Sequence, residues 1–231
     1  MLSPFIANDK NLFLDRFPPS QVNRSLQAWD ASDEYLFNFL TEDSDTLASD
    51  TNMLIFNDNF GALSLALNIY KVTSISDSYL SHLGTLHNLE QNNLESGQLT
   101  LLDSLAQLPN KADVVLYRIP KSKALLEQQL HAIATTYKDN ITFIACAKAK
   151  EIHSSTLKVF EKYLGTTTTS LAVKKSRLVF CALDKQKPAQ FNSVKSWPLI
   201  DGQLSNTPVT VHNHANVFSR DSLDIGARFF I

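Results

Sequence analysis

Met53-Leu54-Ile55-Phe56-Asn57-Asp58-Asn59-Phe60-Gly61-Ala62-Leu63-Ser64-Leu65-Ala66-Leu67 decides the reading of this chain. An apolar strand, 53–57, runs into a short turn and leaves it as an apolar helix from Gly61 to Tyr70. Strand, turn and helix in this order open nucleotide-binding units. There, several glycines let backbone N–H groups come close to the ligand. Here Gly61 alone remains, and Asn57, Asp58, Asn59 and Phe60 fill the turn. The frame of a binding site is kept while its contents are changed, so the expectation is a fold that has outlived its catalysis.

Outward from this stretch, strand and helix alternate. Lys71–Ser76 reads as a strand ending at Asp77, and Tyr79–Asn92 as a helix. Leu99–Leu102 is a short strand, and Ala112–Ile119 a strong one closed by Pro120. Ser122–Tyr137 carries Leu125, Leu126, Leu130, Ile133 and Ala134 at helical spacing. Ile141–Ala147 is an apolar strand, and Ser154–Leu164 a helix stopped by Gly165. Thr168–Val173 and Arg177–Leu183 flank Lys174-Lys175-Ser176 as a hairpin. Such regular alternation predicts an α/β fold, a doubly wound and mostly parallel sheet with one antiparallel strand near the edge. That is the shape of class I methyltransferases. Ahead of it, Ala28–Leu40 reads as an amphipathic helix behind Pro18-Pro19, an N-terminal helical appendage. The division expected is 1–52 for the appendage, 53–187 for the degenerate sheet domain, and 188–231 for a bridge. In the bridge, 184–208 reads as polar linker with Trp197 as an anchor. Val209–Phe218 reads as a strand and a helix begins near Leu223. The apolar close, Phe229-Phe230-Ile231, suggests a chain that continues into a further domain.

Hydrophobic residues make up 44% of the 231, enough for a sizeable core, and charged residues 19%. No apolar run is long enough to cross a membrane, and 1–15 lacks the pattern of a secretory signal. Cys146 and Cys181 sit inside apolar runs and read as buried free thiols, which fits a reduced cytoplasmic compartment. The net charge of −2 conceals a split. Residues 1–117 hold 5 Lys/Arg against 15 Asp/Glu, and 118–187 hold 13 against 5. Such asymmetry speaks of partners rather than of fold.

Several strings carry a family resemblance. They are His212-Asn213-His214-Ala215-Asn216-Val217-Phe218-Ser219-Arg220-Asp221-Ser222-Leu223-Asp224-Ile225-Gly226-Ala227-Arg228, Leu26–Tyr35, Asn57–Ser64, Ala124–Leu130 and Ala147–His153. With them the chain resembles ribosomal RNA guanine-N2 methyltransferases along nearly its whole length. The resemblance implies two tandem methyltransferase-fold domains. The second binds S-adenosylmethionine and carries an Asn-Pro-Pro-Phe signature; the first is a degenerate copy. This chain resembles the first copy and the bridge. It has no Asp-x-Gly-x-Gly loop, and after Asp113-Val114-Val115-Leu116-Tyr117 it has Arg118-Ile119-Pro120-Lys121 where the signature would stand. No catalytic residue carries over. The cofactor implied is S-adenosylmethionine, held by the catalytic domain of the same polypeptide and not by this chain. The implied partners are 23S ribosomal RNA and that domain, with no membrane.

The remaining candidates follow from position. Arg118 and Lys121 follow the fourth strand, Lys148 and Lys150 the fifth, Lys174 and Lys175 the sixth. In a parallel sheet those carboxyl ends share one edge, so six cations gather as an expected footprint for RNA phosphates, with solvated loop lysines as the bland alternative. Asn57, Asp58, Asn59, Gly61 and Asp77 are the vestigial cofactor loop. Asp77 reads either as a ribose ligand or as the cap of the next helix. His212 and His214 lack the partners of a metal site. Two other function classes stay open: a scaffold without RNA contact, and a self-sufficient S-adenosylmethionine enzyme.

Overall fold

The computed structural model describes residues 4–7, 10–21, 26–42, 47–137, 141–184, 190–192, 194–199 and 209–227. Seven strands form the main sheet: β3 (Asn52–Phe56), β4 (Lys71–Ile75), β5 (Leu99–Leu102), β6 (Val114–Arg118), β7 (Thr142–Lys148), β8 (Thr167–Thr169) and β9 (Ser176–Cys181). Their order is β5-β4-β3-β6-β7-β9-β8, and β9 alone runs against the rest. The chain steps from β3 to one side through β4 and β5, then returns to the other side at β6. The switch point therefore lies between β3 and β6.

Both faces of this sheet are buried at its centre because β3 and β6 are apolar at nearly every position, and side chains alternate between faces with period two. Met53, Ile55, Val114 and Leu116 join one core; Leu54, Phe56, Val115 and Tyr117 join the other. The first core is covered by α1 (Ala31–Thr41), α2 (Ala62–Ala66) and α3 (Tyr79–Gln91), the second by α4 (Lys123–Thr136) and α5 (Ser154–Tyr163). Tyr117 packs within 5.5–6.1 Å, centroid to centroid, of Phe56, Phe143 and Phe160. Burying each such ring contributes ~1.5–3 kcal/mol. The thiols of Cys146 and Cys181 are free and buried, on opposite faces of the sheet.

The expected helix near 28–40 is present as α1, yet it is not set apart. It packs against β7 and β9 and serves as one of the sheet's covering helices. Before it, β1 (Phe5–Ala7) and β2 (Lys10–Leu12) form a small antiparallel hairpin whose Phe5 is wholly buried in the same core. The expected linker also holds a strand. β10 (Lys195–Leu199) pairs antiparallel with β11 (Val209–Asn213), and the Trp197 indole N–H donates to the Arg220 carbonyl at 3.0 Å. β11 ends at Asn213, short of the expected Phe218. Residues 223–227 hold no α-helix, and 228–231 lie outside the described residues. Among the described residues no helix is long and apolar enough to cross a membrane.

Candidate functional site

The carboxyl ends of β3, β4, β6 and β7 open onto a crevice of about 820 Å³ at the switch point. This is where a doubly wound sheet takes its ligand. Its floor is the turn after β3. Asn57 there adopts the left-handed conformation, φ 60°, and turns its amide inward. Its Nδ2 donates to the Arg118 carbonyl at 2.9 Å and to Gln129 Oε1 at 2.8 Å; the Gln129 amide returns a bond to Asn57 Oδ1 at 2.9 Å. The buried Tyr117 hydroxyl also donates to Gln129 Oε1, at 2.8 Å. A locked amide pair thus fills the place where a phosphate-cradling loop presents bare backbone.

Asp58 points away from the crevice. One carboxylate oxygen accepts from the backbone N–H and the hydroxyl of Ser64, each at 2.8 Å, and so caps α2. Gly61 starts that helix at φ 84°, and a Cβ there would lie 2.7 Å from Leu65 and 2.8 Å from Thr85. Its glycine is required by packing as well as by the backbone. Asn59 remains exposed at the rim of the crevice. Asp77 is exposed, lines the crevice and is not the cap of the next helix. Ser78 caps α3, while the Asp77 carboxylate accepts from Asn216 Nδ2 at 2.5 Å. The turn after β11 therefore reaches across 139 residues to the position of the expected ribose ligand.

The structure gathers the six expected cations on the carboxyl edge and divides them. The Lys174-Lys175 pair forms the two-residue loop of a tight hairpin, both at positive φ, with Val173 and Ser176 bonded across it. The Lys175 carbonyl accepts from the Ala149 N–H at 2.8 Å, which ties this loop to the 3-10 turn carrying Lys150. Arg118 is not an open cation. Its guanidinium donates to Asp33, which is wholly buried, and lies 3.4 Å from Asp30. Lys148 Nζ is 3.7 Å from Asp30, and Lys174 Nζ donates to Glu34 at 3.0 Å. The first turn of α1 thus neutralises three of the six. Lys121, Lys150 and Lys175 are exposed and carry no ion pair among the described residues.

These α1 acids escape a reading of the sequence by charge alone. A signal was present: Asp30 and Asp33 form a capping box, each side chain taking the other's backbone N–H. Burial lifts the Asp33 carboxyl to about 6, against the pull of Arg118; the negative charges of Asp58 and Asp30 add to the rise. Burial raises Asp58 as well, although Ser64 and Arg118 oppose it. Burial alone would raise Asp30 too, but Arg118, Ser32 and Lys148 outweigh it and hold Asp30 below its ordinary value. Three acids around one guanidinium and one distant ammonium leave an excess negative charge, and one oxygen each of Asp33 and Asp58 has no hydrogen-bond partner. A proton is accommodated there more readily than in the unfolded chain.

The sign of the pH dependence follows. Between the unfolded 3.8 and about 6 the folded state holds the extra proton on Asp33, so this site makes stability fall as pH rises through that window. Urea unfolding of wild type and Asp33→Asn from pH 4 to 7 measures it. The variant is expected to lose this downward slope, and equal slopes in both proteins would refute the assignment.

The family described as the RLMG N-terminal domain matches residues 3–185. Among curated relatives, the ribosomal RNA large subunit methyltransferase G of Colwellia psychrerythraea is 54% identical, over 100% of this chain and 61% of its own length. That of Erwinia tasmaniensis is 49% identical, over 100% of this chain and 59% of its own. The chain spans about three fifths of the length of these relatives. Among solved structures, the T. thermophilus 16S rRNA N2 G1207 methyltransferase RsmC, in complex with AdoMet and guanosine, superposes with a TM-score of 0.66 at 16% identity. The match covers 99% of this chain and 56% of that one. The fold is that of class I methyltransferases.

Proposed function

Because this chain belongs to the RLMG N-terminal domain family, we propose that it is the non-catalytic segment of a ribosomal RNA methyltransferase, and that it positions RNA for a catalytic domain further along the polypeptide. The observation that carries the non-catalytic half is the filled turn after β3. The Asn57–Gln129 amide pair and the Asp77–Asn216 bond occupy the two positions a dinucleotide-like cofactor needs as backbone cradle and ribose acceptor. S-adenosylmethionine does not fit these residues without breaking both. Guanine-N2 of 23S RNA is the substrate of the whole protein in this reading, and S-adenosylmethionine binds outside this chain.

The RNA half is supported by the exposed lysines 121, 150 and 175 along one edge. A second reading has a specific observation in its favour. Since Asp30, Asp33 and Glu34 neutralise the other three cations, the edge is a weaker anion site than its composition suggests, and a purely structural scaffold fits such an edge. Calorimetric titrations of the chain with S-adenosylmethionine and with a 23S RNA fragment separate the readings. The expected result is salt-dependent binding of RNA and no saturable heat with the cofactor. Micromolar cofactor binding would overturn the non-catalytic assignment. Absence of RNA binding at low salt would leave the scaffold.

A further inference from the structure

The filled turn leaves most of the crevice open above it. Its volume of about 820 Å³ falls within the ~300–1,000 Å³ typical of small-ligand sites. Along one wall the Arg16 guanidinium lies 5.3 Å over the ring of Phe60, and Phe17 and Trp29 line the same space. This wall is held in place from behind. The Phe60 carbonyl accepts from Asn88 Nδ2 at 2.9 Å, and its ring lies so close to Gly84 that a Cβ there would come within 2.6 Å of it. A guanidinium plane or an aromatic ring stacks on any unpaired base, and a pre-placed wall costs little ordering on binding.

We propose that this crevice takes one unstacked nucleotide of an RNA strand, its base against the Arg16–Phe60 pair and its phosphate on Lys121. The proposal rests on the RNA reading above and goes beyond it, since that reading needs only phosphates along an edge. Charge sorts the two ends of the nucleotide. Inside the crevice Asp30, Asp77 and Glu151 stand against Arg16, Arg118 and Lys148, and Asp30 already partners Arg118 and Lys148, so the interior holds no surplus positive charge for a phosphate and admits a neutral base. Lys121 is exposed, and it borders both this crevice and a neighbouring cavity of about 340 Å³ between the starts of α4 and α5. It stands on the divide between them, where the backbone of a strand with one base turned inward would pass.

A short oligouridylate carrying a single 2-aminopurine ribonucleotide tests the proposal, because stacking quenches that base. With the intact chain, titration should give a saturable loss of emission that weakens with salt. Arg16→Ala should weaken binding roughly tenfold and abolish the quench, as expected for a lost stacking partner. If that variant unfolds, Arg16→Lys keeps the charge, loses the plane and should lose the quench alone. Lys121→Ala should keep the quench and lower the salt slope by about 0.7. Lys111→Ala, at the opposite edge of the sheet, should change neither. Binding of the oligonucleotide without quench, indifferent to Arg16, would overturn the crevice site while phosphate contacts along the edge still stood. No binding at all would overturn both.

Discussion

Arg118→Ala is expected to cost about 3–5 kcal/mol of unfolding free energy, the range for breaking a buried ion pair on one side. The guanidinium is the group that lets Asp33 be buried as an anion. Asp33 is wholly buried, one of its oxygens already lacks a partner, and Asp30 and Asp58 stand close enough to add repulsion. Without Arg118 the remaining cation is Lys148, half exposed and 3.7 Å from Asp30. The proton-deficient cluster would then destabilise the docking of α1 on β7. The double variant Arg118→Ala with Asp33→Asn should recover most of the loss, because no ionised group is left stranded. Urea unfolding of the four proteins closes the cycle. A loss below about 1 kcal/mol in the single variant, the level of a surface pair, would show that the contact is solvated and weak.

The second large effect concerns RNA. Converting Lys121, Lys150 and Lys175 to alanine together should weaken binding of single-stranded RNA roughly 100-fold at 0.1 M salt. Each phosphate contact contributes about 0.7 to the salt slope, so three contribute about 2. Lys148 and Lys174 are left out because Asp30 and Glu34 already partner them. Their own replacement should change affinity far less. Fold should be retained, since exposed loop lysines hold little of it. Filter binding across a salt series, with circular dichroism as the folding control, reads both quantities. An unchanged slope in the triple variant would mean these lysines are merely solvated.

The contrast between those two lysine sets shows where sequence reading reaches and where it stops. The alternation from β3 to β9 is legible because the central strands β3, β6 and β7, buried on both faces, are nearly unbroken apolar runs. Leu99–Leu102 is found at the bounds the sequence predicts. Lys195–Leu199 hides because Pro198 and the exposed polar pair Lys195 and Ser196 give it no strand pattern. A proline is admissible there only because the ribbon has two strands and an open edge. The hairpin of β1 and β2 hides for a different reason: three-residue strands are too short to show a period. For the site, the turn residues Asn57, Asp58 and Asn59 are legible as altered, since glycine loss is a local fact. The fate of Arg118 is not. Its partner sits 85 residues earlier on α1, and nothing local to either residue announces the pairing. The same holds for Asp77, whose partner Asn216 lies 139 residues later.

The two buried thiols give the molecule a built-in clock. Burial pushes the Cys146 thiol up well beyond its ordinary range and the Cys181 thiol to about 11, so neither sulfur reacts while its strand stays covered. Alkylation then proceeds only through momentary openings, and its rate counts them. Cys181 lies on β9 beside the edge strand β8 and is uncovered when that edge peels away. Cys146 lies one strand further in, on the face covered by α1, and is uncovered only when α1 lifts from β7. Two labelling rates from one sample would therefore time the fraying of the sheet edge and the undocking of the first helix separately, without any probe being introduced.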